Sequence, residues 1–401
     1  MPDEAPGPSP PFATPVPGIM RIDLLFPAFP PALDGIGDYT YHLASTLGRD
    51  HDVRVLTAQP EPGDCPGARV CTAFPERPPA GIRQIEEAVA LDPPAWLVVQ
   101  YNPFSYGHWG FNPFLASTLR RLRRRHPSLK VAAVIHEPYV PVETWKFAVM
   151  WTWQRWQFRR LGAAADLLFF PLRGWAERFG PWFPRAEVQV LPVGSNIPRR
   201  PAAREETRRA LDLEGRLVIG VFGTAHPSRQ LSSVRTALDR LRAAGETPAV
   251  LYVGPSGSAV RALLHGHEVH DAGPLPGPEV SRHFSAMDVY LSPFQNGVSA
   301  RRGSFLVGIQ HGVATVSTVG ADTDALFRED HTGVLLAPDD APSVFADHVE
   351  RLVRNESERT RRAAQGATFY ERHFSWPLIG ARMGRALGAP APTSSLSPST
   401  L

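Results

Sequence analysis

The stretch QNGVSARRGSFLVGIQHG, residues 295–312, passes from a polar turn into an apolar helical pattern, and two adjacent arginines mark the change. Arg301 and Arg302 stand where the helix would begin, the end that already carries partial positive charge. Cations there cost stability unless an anion is close, so Ser299, Arg301, Arg302, Gly303 and Ser304 are candidate contacts for one. VFGTAHPSRQL (221–231) repeats the oddity: Gly223 ends a strand pattern, Thr224 and His226 follow, and Arg229 precedes a helix. Three arginines near two helix starts suit a diphosphate, whose oxygens backbone N–H groups and guanidinium forks would share. The alternative is solvated arginines in an arginine-rich chain. Adjacent side chains diverge, so Arg302 could turn instead to a carboxylate across a cleft.

Three further segments carry candidate chemistry. VIHEPY (134–139) places His136 at the end of an apolar strand, with Glu137 beside it. A strand end of that kind faces the ligand crevice in an open parallel sheet; the alternative is a hydrogen-bonded core histidine. DGIGDYT (34–40) joins the first strand to its helix. Gly35 and Gly37 either let backbone approach a phosphate or sugar at the helix start, or satisfy a turn that needs positive φ. ETWKFAVMWTWQRWQFRRLG (143–162) concentrates Trp145, Trp151, Trp153 and Trp156 beside Arg155, Arg159 and Arg160, and LRRLRRRHPSLK (119–130) adds five arginines. Such a helix suits an anionic membrane surface, stacking on sugars, or a core helix with a solvated charged face.

Alternating strand and helix patterns must position these residues. Strand patterns occur at IMRIDLLF (19–26), DVRVLTA (52–58), ARVCTAF, AWLVVQY (95–101), KVAAVIH (130–136) and DLLFFP (166–171). VQVLPVGSNIPRRPAAREE (188–206) breaks the rhythm and reads as an interdomain linker. A second series runs through RLVIGVFG (216–223), PAVLYVG (248–254), HEVHDAG and MDVYLSP (287–293), ending at VATVST (313–318). The pattern predicts two α/β domains, each a doubly wound, Rossmann-like parallel sheet, facing each other across a cleft. The expected boundaries are a proline-rich disordered tail over 1–18, an N-terminal domain over 19–195 and a C-terminal domain over 196–375. A helix at 376–387 would cross back, and 388–401 would form a second disordered tail.

The two-domain plan, together with DGIGDYTYHLASTLG, VIHEPY, PVGSNIP, VFGTAHPSRQ and PFQNGVSARRGSFLVGIQHGVATVST, resembles the family 4 glycosyltransferases of the GT-B fold over nearly all of residues 20–385. The resemblance implies transfer of a sugar from a nucleoside-diphosphate donor, held mainly by the C-terminal domain. The acceptor, a glycan or glycolipid, would lie on the N-terminal domain. Retention of anomeric configuration is implied, with no metal or other cofactor required. Gly35 and Gly37 would border the donor phosphates, and His136 would contact the transferred sugar near its reacting carbon. Arg229 stands where the family has a phosphate-binding lysine. Gly223, Thr224, His226, Ser299, Arg301, Arg302, Gly303 and Ser304 would complete the donor side, and Tyr39, Glu137 and Trp145 the acceptor side. One departure is plain: where the family pattern carries Glu-x7-Glu, this chain has Ser299 and Val307.

Bulk composition sets the outer limits. The 401 residues include 42 Lys plus Arg against 39 Asp plus Glu, a formal net charge of +3, too mild to point to nucleic acid. Cys65 and Cys71 are the only cysteines, which excludes a disulfide framework and suits a reducing, cytoplasmic setting. Peripheral contact with the inner face of a membrane is expected from the tryptophan- and arginine-rich segment. No run approaches the roughly 18 apolar residues of a membrane span. Competing readings are a sugar-nucleotide epimerase of the same fold and a non-catalytic nucleotide-sugar binding protein. A dinucleotide-dependent dehydrogenase is disfavoured, since neither domain has the full Gly-x-Gly-x-x-Gly with its downstream acid.

Overall fold

The computed structural model describes residues 18–74, 81–200 and 202–388; except for Gly18 and Gly388, the two expected tails lie outside the described residues. The first sheet contains β1 (Arg21–Leu25), β2 (Asp52–Thr57), β3 (Ala68–Thr72), β4 (Trp96–Tyr101), β5 (Lys130–Ile135), β6 (Leu167–Phe170) and β7 (Glu187–Val190). Their order is β3-β2-β1-β4-β5-β6-β7, and every pairing is parallel. Register explains why these strands read as unbroken apolar runs. Leu24 lies beside Val55 and Val98, Val98 beside Ala132, and Ala132 beside Leu167, one buried row on one face. The next row, Leu25, Leu56, Val99, Ala133 and Leu168, is buried on the other. Helices cover both faces, so neither set of alternating side chains meets water.

The second sheet contains β8 (Val218–Phe222), β9 (Ala249–Val253), β10 (Val269–Asp271), β11 (Val289–Ser292), β12 (Ala314–Val319) and β13 (Leu335–Pro338). Its order is β10-β9-β8-β11-β12-β13, again parallel throughout. In both sheets the chain winds outward in one direction, then returns to wind in the other. The reversal falls between β1 and β4 in the first sheet and between β8 and β11 in the second. Ligands bind such sheets beyond the carboxyl ends of the strands flanking the reversal. His136 follows β5, the next strand out, and Gly223 follows β8.

Two expectations are corrected. The second series does not end at residue 318: β13, four residues long, extends the sheet beyond β12. LLAP is too short, and too close to Gly333 and Asp339, to stand out by periodicity. The expected linker over 188–206 is also narrower, because β7 runs to Val190 and a helix begins at Arg204. Its residue Pro201 lies outside the described residues.

The segment between β7 and Arg204 is fixed by both halves of the chain. The Asn196 side chain donates to Gly35 O at 2.9 Å, and the His42 ring meets Asn196 O at 3.0 Å. Ser195 N donates to the Tyr370 hydroxyl at 3.1 Å, and the Trp376 indole donates to Ser195 O at 2.8 Å. The helix Trp376–Ala386 then packs on the helix Gly35–Leu47, burying Ile379 and Met383 in the first domain's core. Trp96 donates its indole N–H to Leu387 O at 2.9 Å.

Candidate active site

The helix Gly303–Gln310 starts without a side-chain cap and has no acidic residue in its first turn. Arg302 occupies the cap position in a non-helical conformation (φ −87°, ψ 79°). A Cβ at Gly303 would meet no atom within 4 Å, so the backbone is open to whatever approaches. Across from it, Gly223 directly follows β8, and its φ of +103° is a conformation that favours glycine. The same residue must be small: a Cβ there would lie 2.9 Å from Arg229 Nη2. That guanidinium donates to Ser304 Oγ at 2.6 Å and lies 4.9 Å from the centre of the Phe294 ring. Arg302 approaches the same ring at 4.8 Å. One aromatic side chain thus supports two cations at the start of one helix.

Two like charges in that position are costly, and Arg302 bears the cost of burial as well. Burial, then Arg301, lowers its pKa from the ordinary value. Arg229 Nη1 is buried without a hydrogen-bond partner among the described residues. The cluster therefore has the elements of an anion site: an uncapped helix start, an unpartnered guanidinium N–H, and a second cation on a shared ring.

Arg301 points elsewhere. Its Nη1 donates to Glu137 Oε2 at 3.1 Å and its guanidinium lies 4.4 Å from the Trp175 ring centre, both partners belonging to the first domain. Of the adjacent pair it is Arg301, not Arg302, that reaches a carboxylate across the cleft, which corrects the expectation from sequence. Burial raises the pKa of Glu137, and Arg301 opposes that rise.

His136 leaves the end of β5 with its N–H bonded to Tyr101 O at 2.9 Å. Its Nε2 lies 2.8 Å from the amide oxygen of Gln100, a fully buried residue of β4. With that oxygen accepting, Nε2 carries the proton and Nδ1 remains an acceptor. Burial pushes the imidazole pKa down from 6.5 to about 3, so the ring is neutral at ordinary pH. Tyr39 meets it edge-on, with ring centres 4.9 Å apart, and Trp376 meets Tyr39 at 5.2 Å.

The remaining candidates divide. Gly35 opens the helix Gly35–Leu47, and a Cβ there would meet only Asn196, at 3.9 Å. Gly37 has a packing reason, since its Cβ would press on Ala28 O at 3.2 Å. The Asp34 carboxylate already accepts from Ile36 N and Gly37 N, each at 2.9 Å. Thr224 is exposed, and His226 folds back on its own turn, with Nδ1 2.9 Å from Ser228 Oγ. Ser299 is buried, and its carbonyl accepts from Arg302 N at 3.0 Å. Trp145 stands 74% exposed at the start of its helix, outside this cluster of contacts.

Four residues of the site escaped notice in the sequence: Gln100, Phe294, Trp175 and Asp38. A glutamine inside the apolar run AWLVVQY was a signal for the first. Asp38 lies one turn into the helix Gly35–Leu47, its carboxyl pushed up to about 6 by burial and by Asp34. Nothing in the sequence distinguishes Phe294 or Trp175 from core aromatics. Among the described residues, no three His, Cys, Asp or Glu side chains converge as metal ligands would.

Comparison with known proteins agrees with this two-part geometry. Residues 34–194 match the family model described as glycosyl transferase 4-like domain, and residues 216–355 match glycosyl transferases group 1. No curated protein sequence matches the chain significantly. Among solved structures, a sucrose-phosphate synthase from Thermosynechococcus elongatus superposes with a TM-score of 0.69 at 16% identity, covering 91% of this chain and 97% of that one. WaaG, a glycosyltransferase involved in lipopolysaccharide biosynthesis, gives 0.64 at 16% identity, over 92% of this chain and all of the other. Anabaena HepE, solved with UDP and glucose, gives 0.67 at 12% identity, with coverage of 92% and 100%. At these identities the structures speak for the fold, and the two family models, which between them cover every strand of both sheets except β1, place the chain among the glycosyltransferases of GT-B architecture.

Proposed function

We propose that the chain moves a hexosyl group from a nucleoside-diphosphate sugar to a glycan or glycolipid acceptor, with retention at the anomeric carbon. The observation that carries this reading is the unpartnered, buried Arg229 guanidinium N–H beside Ser304 and the uncapped helix start, with Arg302 on the same Phe294 ring. A sugar diphosphate would set its phosphates there. HepE was solved with UDP and with UDP-glucose, and the second domain here offers a cationic site for such a group.

The chemistry follows from where charge develops. As the glycosidic bond to the diphosphate lengthens, positive charge grows on the sugar ring and negative charge on the leaving phosphate. Arg229, Arg302 and the helix start would stabilise the second by preorganised electrostatics, often the largest catalytic contribution. A phosphate oxygen of the departing group could accept the proton of the incoming hydroxyl, so no protein nucleophile is needed. A neutral His136, with Nε2–H engaged by Gln100, would orient the sugar through Nδ1 accepting from a hydroxyl or through its backbone carbonyl. Ribose recognition would not use the usual carboxylates, because Ser299 and Val307 occupy their places.

The test is a panel of nucleoside diphosphates and their sugar conjugates, read first by thermal shift and then by release of free nucleotide. Stabilisation by one family of nucleotides, with slow donor hydrolysis by the wild type, is the expected result. Binding without any turnover on hydroxyl acceptors would favour a nucleotide-sugar binding protein instead. No stabilisation by any member of the panel would refute the assignment.

A further inference from the structure

Eight of the thirteen exposed large apolar side chains among the described residues fall between 104 and 156. Seven of them come from two segments that touch, and Val142 lies just before the second. One is the loop after β4, which carries Trp109 (63% exposed) and Phe111; the other is the helix Trp145–Gly162. On that helix Trp145, Val149 and Trp156 are exposed at spacings of four and seven, one stripe of one face. The opposite face is buried through Met150, Phe158 and Leu161.

The display is built rather than accidental. Gln154 and Gln157 are buried on the inner face, and each bonds through both ends of its amide. Gln154 accepts from Val140 N at 2.9 Å and donates to Trp109 O at 3.2 Å. Gln157 accepts from Asn112 N at 2.6 Å and donates to Gly110 O at 2.7 Å. These four bonds hold the loop with Trp109 in a left-handed conformation (φ +53°), unusual for a bulky residue. The Phe111 ring rests edge-on against Trp153 at 6.1 Å.

Charge completes the picture. Lys146 lies 5.8 Å from the Trp145 ring centre and Arg160 lies 4.8 Å from that of Trp156. Arg120, Arg124, Lys146, Arg159 and Arg160 have no carboxylate within 4 Å among the described residues. Between residues 101 and 165 the acids are Glu137, which faces Arg301, and Glu143. A protein partner would need a row of carboxylates interleaved with apolar pockets. An anionic bilayer interface supplies both at once: headgroup charge for the cations and the acyl boundary for the rings.

We infer that this face, Trp109, Phe111, Trp145, Val149 and Trp156 with their flanking Lys and Arg, docks on an anionic lipid bilayer. Both segments leave the carboxyl edge of the first sheet, the edge that carries His136. A docked chain would therefore receive a lipid-linked acceptor at its cleft, a consequence that rests on the transferase reading above. Trp145 is thereby moved from the acceptor candidates to the membrane face.

The experiment is co-sedimentation of the full chain with vesicles of phosphatidylcholine alone or with one third phosphatidylglycerol. Val149→Ser/Trp156→Ser and Arg124→Glu/Lys146→Glu are run beside the wild type, with thermal unfolding as a check of folding. The wild type should partition at least tenfold more onto anionic vesicles, and less as salt rises. Each double variant should lose most of that binding while keeping wild-type affinity for the nucleotide found in the panel. Wild-type sedimentation by both folded variants, or none by the wild type at low salt, overturns the inference. Concentration-dependent dimerisation abolished by the apolar variant, without vesicle binding, would assign the face to a second copy and also overturn it. Nucleotide affinity is read separately in the same preparations, so failure to dock leaves the donor site standing.

Discussion

His136 is a histidine that burial has taken out of the physiological titration range. With its pKa at about 3 against 6.5 for a free imidazole, it binds a proton in the unfolded chain long before it does so in the folded one. Stability from this group therefore falls as pH drops from about 6.5 towards 3 and is fully retained above that window. A His136 resonance titrating near 6.5 in the folded protein would contradict the buried, Gln100-bonded placement. On the proposed mechanism, the same neutrality would make the ring a positioning group rather than an acid. His136→Ala should lower turnover about 10²–10³-fold and leave nucleoside-diphosphate affinity nearly unchanged, the pattern of an interaction made only in the transition state. The arginines should behave in the opposite way. Arg229→Ala or Arg302→Ala is expected to weaken nucleotide binding by about 1.5–3 kcal/mol, the range for a charge-assisted hydrogen bond. Calorimetric affinities equal to wild type in both would remove the diphosphate from this helix start.

At the level of elements, the helix start at Gly303 was legible because an arginine pair at that end of an apolar helix conflicts with the helix dipole. So was the strand end at His136, where an apolar run stops at a polar residue. What could not be read was which side chains share a partner, since Phe294 lies far in sequence from Arg229 and their meeting depends on how the turns after β8 and β11 are folded. Short β13 escaped for a different reason: four residues carry too little periodicity to separate a strand from a loop. The glycines sort by physical requirement. Gly37 is small because Ala28 O leaves no room, whereas Gly223 answers both to φ and to the guanidinium behind it. Gly223→Ala should therefore cost about 1–2 kcal/mol of stability through backbone strain alone. It should also displace Arg229, so denaturation and nucleotide titration must both report a loss. A stable variant with unchanged affinity would mean that Arg229 does not need its present place.

Across the whole molecule, the two domains meet through directed polar contacts and through one apolar cluster, in which Leu172 and Trp175 of the first domain pack with Phe294, Val298, Ala300 and Phe305 of the second. The hinge is held by Asn196 against Gly35 and by Trp376 against Ser195, while Arg301 spans the cleft to Glu137 and Trp175. A half-buried ion pair of this kind contributes little to global stability, roughly 0–1 kcal/mol, but it sets where Arg301 spends its time. In the present arrangement that guanidinium is committed to the first domain, with its Nε buried and unpartnered. Glu137→Gln should release it towards the proposed phosphate site a few residues along its own loop. The expected result is nucleotide affinity raised by up to about fivefold, equivalent to about 1 kcal/mol, with turnover lowered because the domains are no longer aligned by the pair. Arg301→Ala lacks the cation altogether and should lose turnover without gaining affinity. The contrast between the two variants separates a bridge from a simple phosphate ligand. If Glu137→Gln weakens nucleotide binding as much as Arg301→Ala does, the carboxylate serves the bound donor directly and the bridging role is wrong.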